Sequence, residues 1–234
     1  MADCRYALLI TSLPPLGLPF KTRQLPLSPL QLERRLAWLT PGDVQQLQGM
    51  EDALAWHRLP NGDEAATIQH IEGALAAVTT PTLHQLVIER LSLRLAVMAV
   101  RRRRGGEPPP PAGTFPPWGN VADRIRRHWT APDLGLGHRY PWLPQAQALL
   151  AAGHSLALER LLFEVVWGQL DRLNDHHRFD LTAVGVYLLR WQLVDRWLRY
   201  QGDAAGRRFD VLVQTAMTDF QRRRPGQQRT DATP

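Results

Sequence analysis

The densest group of side chains able to do chemistry is Asp171, Asn174, Asp175, His176, His177 and Asp180. Carboxylates and imidazoles at that density offer two chemistries: oxygen and nitrogen ligands for a metal ion, or the acid and base of a small hydrolase, with His176 and Asp175 in those roles. Their spacing favours neither. Adjacent histidines on a helix point to different faces, and the cluster falls where one helix should end and the next begin. The expected arrangement is a solvated junction in which Asp180 caps the second helix. A Walker-type glycine loop, G-x-G-x-x-G, G-x-S-x-G and Cys-x-x-Cys are all missing from the chain. No enzyme activity, metal, cofactor or small-molecule substrate is therefore expected.

The second group is the run Arg101, Arg102, Arg103 and Arg104. Of 28 basic residues only Lys21 is lysine, so the formal charge of +6 is almost wholly guanidinium. Guanidinium stays protonated and pairs readily with carboxylates or phosphates, although a GC-rich genome would produce the same arginine bias. At a helix C-terminus the macrodipole favours cations by about 0.3–1 kcal/mol, so the run can simply finish its helix. It can also meet an acidic protein partner or a nucleic acid. No nucleic-acid-binding motif or basic–aromatic alternation accompanies it, and nucleic acid is not the expected partner. An arginine-rich nucleic-acid-binding protein remains the competing class, recognisable by binding that falls steeply with salt. Arg196 and Arg199, outward on a later helix, complete the candidate partner contacts. Trp38, Trp167, Trp191 and Trp197 sit at helical core spacing, which suits packing better than ligand stacking.

These groups need helices to carry them. The stretch Thr80 to Arg104 reads as a long interior helix, with Thr80 as N-cap and Pro81 at the first position. Leu83, Val87, Leu91, Leu95 and Met98 form one apolar row, and Leu86, Leu93, Val97 and Val100 another. A second central helix opens at Asp180, with Leu181, Val184, Leu188, Trp191 and Leu198 in one row and Val186, Leu189, Leu193, Trp197 and Tyr200 in the next. Capping signals at Ser28/Gln31 and Thr40/Asp43 start two earlier helices, the second running to about His57. Asn61-Gly62-Asp63 then turns into a third, over 64–78. Further helices are expected over 121–129, 143–152, 155–173 and 205–222; in 155–173 the buried side should be Leu158, Leu161, Leu162, Val165 and Leu173. Arg5 to Leu13, closed by Pro14 and Pro15, reads as a short strand or extended arm.

The expected fold is mainly α, a multi-helix bundle with that short N-terminal strand or arm. Its parts are 1–104, a proline- and glycine-rich linker over 105–117, a second helical part over 118–223, and a tail over 224–234. One cysteine, Cys4, excludes an internal disulfide framework, and Tyr6 to Ile10 is too short an apolar run for a signal peptide. No run of about 18 apolar residues occurs, so no direct membrane insertion is expected.

YALLITSLPPL followed by LSPLQLERRLAWLTPGDVQQL resembles the opening of a family of bacterial proteins encoded with V-type (A/V-type) rotary ATPases, in which a tyrosine-containing strand ends in S-L-P. The remainder, through FDLTAVGVYLLRWQLVDRWLRYQG, resembles that family and, more faintly, the C subunit of those ATPases. Ser12 to Pro15 is the most distinctive piece. The resemblance implies a noncatalytic, mostly helical, C-subunit-like central-stalk component joining shaft to membrane ring in proton or sodium transport. Its partners would be V-type ATPase subunits, and its place cytoplasmic, peripheral to the inner face of the cell membrane.

Overall fold

The structure, a computed structural model, describes residues 2–18, 20–55, 64–111 and 120–200. These are mainly helical: α1 Ala2–Ser12, α2 Pro29–Leu36, α3 Pro41–Leu54, α4 Glu64–Ala76, α5 Pro81–Arg104, α6 Val121–Arg127, α7 Leu143–Ala151 and α8 Ser155–His176. Residues 181–200 form a further helix, α9. The Asn61-Gly62-Asp63 turn, the helix expected over 205–222 and the tail lie outside the described residues.

The N-terminal segment corrects the sequence reading, because Arg5 to Leu13 is not a strand or an extended arm but most of a helix. Only Ile10 and Thr11 in it are β-branched, and alanine and leucine favour the helix. Its polar end satisfies itself: Thr11 Oγ1 donates to the Ala7 carbonyl at 2.8 Å and Ser12 Oγ to the Leu9 carbonyl at 2.6 Å. Leu9 and Leu13 turn inward, and the two prolines forbid another turn.

Helices α2 and α3 begin as expected. Ser28 with Gln31, and Thr40 with Asp43, form complete capping boxes, each followed by proline at the helix start. Trp38 is a second correction: it is 52% exposed. Helix α2 ends at Leu36, so the helical spacing that placed Trp38 in the core does not reach it, and Leu39 turns inward instead.

Helix α5 is the axis of the first core. Leu83, Leu86, Val87, Leu91, Leu93, Leu95 and Val100 are buried as expected, and Val97 and Met98 are half-buried. Its start differs in detail. Thr80 makes no side-chain cap, and instead Gln46 Oε1 on α3 accepts the N–H groups of Thr79 and Thr80 at 3.1 and 2.7 Å. At its other end Leu95, Ala96, Ala99 and Val100 share one core with Val121, Ile125, Trp129 and Leu143. The helical stretches on either side of the proline-rich 105–117 thus pack on each other, across the boundary expected there.

The buried stripe of α8 is rotated from the expected one. Phe163, Val166, Trp167 and Leu170 join Leu158 inside, while Leu161, Leu162, Val165 and Leu173 are only half-buried. The larger aromatic surfaces take the interior, where their burial yields most. On α9, Leu181, Val184, Val186, Leu188 and Leu189 are buried as expected. Gly185 sets a close approach there: a Cβ on it would lie 2.7 Å from Leu83 Cδ2 and 3.5 Å from Leu47 Cδ2. Its absence lets α5 and α3 side chains reach the α9 backbone.

The chain divides into two compact units, one drawn from residues up to Pro15 with Leu27–Arg190, the other from Leu16–Pro26 with residues from Trp191 on. Within the second, Phe20 meets Trp197 edge-on at 4.8 Å, and Trp197 stacks on Tyr200 at 6.2 Å. No helix among the described residues is long and apolar enough to cross a membrane.

Candidate functional site

A helix end leaves its last carbonyls without intrahelical partners. In this protein several of those carbonyls are taken by arginines that belong to other helices. Arg35 Nε on α2 donates to the Ser12 carbonyl at the end of α1, at 3.2 Å. Arg94 on α5 reaches the Leu54 carbonyl at the end of α3, at 3.4 Å. Arg103 donates through Nη1 to the carbonyls of Trp129 (3.3 Å) and Ala131, and through Nη2 to that of Pro132 (3.1 Å). Arg104 donates to Leu150 and, at 3.3 Å, to Ala151, the last carbonyls of α7. A planar fork of N–H donors spans two or three carbonyls at once, which a lysine ammonium on its single point of attachment cannot match.

The candidate residues at the end of α5 thus stand in different circumstances. Arg101 is exposed. Arg102 pairs through Nε with Glu107 at 2.6 Å, and Arg103 and Arg104 are fixed on backbone carbonyls. The structure brings these four together in the first unit. Arg196 and Arg199, in the second, are both exposed on α9 one turn apart, and Arg199 pairs with Asp195 at 2.8 Å.

The loop that receives Arg103 is itself rigidly made. Asp133 accepts the N–H groups of Gly135 and Gly137 at 2.9 and 3.0 Å. These bonds, that of Gly135 foremost, hold the Asp133 carboxyl below the usual aspartate range. Gly135 adopts φ +69°, and a Cβ there would lie 2.7 Å from the His128 ring. Trp129 Nε1 donates to the Glu107 carbonyl at 3.2 Å, tying the loop to the chain leaving α5.

The junction at 171–180 is built from local bonds. Asp180 Oδ1 caps α9 by accepting the Ala183 N–H at 2.8 Å, and Oδ2 meets His177 Nδ1 at 2.5 Å. Asp171 pairs with Arg190, whose guanidinium lies 5.0 Å from the centre of the Trp167 ring. Burial pulls the Arg190 pKa below the ordinary guanidinium value, and its Nε is buried without a hydrogen bond. His176 and Asp175 are exposed. Among the described residues no three of His, Cys, Asp and Glu come together as metal ligands would.

Sequence reasoning passed over Arg35, Arg94, Gln46, Tyr187 and Arg190. Tyr187 donates its hydroxyl to the Pro14 carbonyl at 3.0 Å, and burial raises its pKa to about 12. With Arg35 on Ser12, it holds two carbonyls of the distinctive Ser12–Pro15 segment. Arg35 and Arg94 carried a partial signal, since arginines near the apolar face of a helix lie within reach of neighbouring helix ends. Tyr187 carried none, because its acceptor is 173 residues away. Comparison with protein-family models, with curated proteins and with solved structures finds no match.

Proposed function

We propose that the chain is a noncatalytic component of a bacterial V-type (A/V-type) rotary ATPase, a C-subunit-like connector between the central shaft and the membrane ring in proton or sodium transport. The motif resemblance of its first fifty residues supports this, with Ser12–Pro15 as the most distinctive piece. The mainly helical fold is of the kind such a connector needs. A force-bearing part must resist bending, and α5 runs 24 residues with buried side chains from Leu83 to Val100. In this reading the protein sits at the inner face of the membrane through its partners.

The observation that carries the reading is the arginine end of α5. Carbonyls hold Arg103 and Arg104 in place without cancelling their charge, so together with exposed Arg101 they offer a preorganised cationic surface. Arg196 and Arg199 are the second candidate contact. The test is affinity purification of the tagged protein from gently solubilised membranes of its host, followed by mass spectrometry. Co-purification of the ATPase catalytic and shaft subunits is expected. Recovery of nucleic acid alone, or of no ATPase subunit, would overturn the assignment.

A further inference from the structure

Val100, Arg103, Arg104, Gln147, Leu150 and Ala151 line an open cleft of about 230 Å³ between the end of α5 and α7. Its apolar side is Val100 and Leu150; its polar side is two guanidiniums and an amide. Gln147 Nε2 is fixed by the Pro132 carbonyl at 2.8 Å, the same carbonyl that holds Arg103. Among the described residues no carboxylate pairs with Arg103 or Arg104; every hydrogen bond they make goes to a carbonyl. A guanidinium has more N–H donors than these carbonyls use, and a carbonyl carries no formal charge. Both side chains therefore keep their charge and spare donors in a fixed position.

The surrounding sequence sharpens the point. Residues 101–139 hold eight arginines against Glu107, Asp123 and Asp133, a formal +5 of the +6 carried by the whole chain. Two helix C-termini, each worth about half a negative charge, offset only part of this. Trp129 and Tyr140, the described aromatics of this stretch and its edge, are buried, so they give no platform on which bases could stack.

We infer that this cleft receives an acidic, partly apolar segment of a partner protein, with a carboxylate on the Arg103/Arg104 pair and an aliphatic side chain against Val100 and Leu150. The inference rests on the functional reading above and names the chemistry of the partner at its arginine surface.

The test uses the full chain and a fluorescein-labelled peptide of alternating glutamate and leucine. Its controls are the same peptide with glutamine for glutamate, an all-glutamate peptide, and a single-stranded oligonucleotide of equal charge. The glutamate–leucine peptide binds best and weakens with salt. Ala151→Glu sets a carboxylate beside Arg104 at an exposed helix end and lowers peptide affinity by about tenfold or more. Arg172→Gln, the same change in net charge on α8, leaves affinity within about twofold. Should Ala151→Glu alter the circular dichroism spectrum, Gln147→Glu, one turn earlier on α7, must give the same loss. Equal binding of the glutamine peptide, tighter binding of the oligonucleotide, or equal responses to Ala151→Glu and Arg172→Gln would overturn the inference. Peptide binding without ATPase capture overturns only the functional reading; ATPase capture that survives Ala151→Glu overturns only the cleft.

Discussion

The end of α5 and the junction at 171–180 are both polar concentrations among the described residues, and they use their charges in opposite ways. At the junction the His177–Asp180 pair and the Asp180 cap each span three residues, and even Arg190 reaches back only nineteen, to Asp171. At the end of α5, Arg103 and Arg104 reach acceptors 26 to 47 residues away. The first pattern shapes a turn. The second joins separate helices, and it does so with cations whose acceptors are neutral, so the charge remains available. A charged cluster thus says little about its role until the sequence distance to its partners is known.

That contrast breaks most visibly at Arg103. Arg103→Ala removes three hydrogen bonds from a charged donor, while the Ala131 and Pro132 carbonyls keep the Leu134 N–H and Gln147, and is expected to cost about 2 kcal/mol of unfolding free energy, read by denaturant titration. A loss as small as that of an ordinary surface change would mean the carbonyl contacts hold nothing together. Gly135→Ala probes the loop on the other side of the same contact. It combines a left-handed backbone with a collision against His128 and should cost about 1–3 kcal/mol.

On the junction side, Asp180→Ala should cost about 1 kcal/mol, the ordinary worth of an N-cap, read by the same titration. Asp133→Asn gives a smaller, pH-dependent change. Because the folded carboxyl titrates below its unfolded value, its contribution is present at neutral pH and fades as pH falls through the folded pKa. Melting temperatures of wild type and variant should therefore differ most near pH 7 and converge in acid; a constant difference would assign the effect to packing. His176→Ala, on an exposed side chain, should stay within about 0.5 kcal/mol. A larger loss would give the junction a role its local bonds do not explain.

Much of the fold was legible because it depends on residues close in the chain. The boxes at Ser28/Gln31 and Thr40/Asp43, the apolar rows of α5 and α9, and the Asp180 cap all lie within a turn or two of the groups they satisfy. Where short-range signals conflicted, the reading failed: at α1, β-branched residues before two prolines suggested an extended segment, yet leucine and alanine with inward Leu9 and Leu13 made a helix. Trp38 failed for a related reason, since periodicity was continued past the end of α2.

The sequence by itself determined where most helices start, which faces of α5 and α9 are apolar, and that guanidinium rather than ammonium carries the positive charge. Periodicity and capping are local, and composition is counted without coordinates. Only the tertiary structure decided that Phe163 and Trp167 take the interior of α8, that Gly185 admits Leu83, that Arg35, Arg94 and Arg104 close the ends of other helices, and that Arg103 holds the loop after α6. Each depends on which helix end or side chain lies opposite, and spacing along one helix does not reveal what stands across from it.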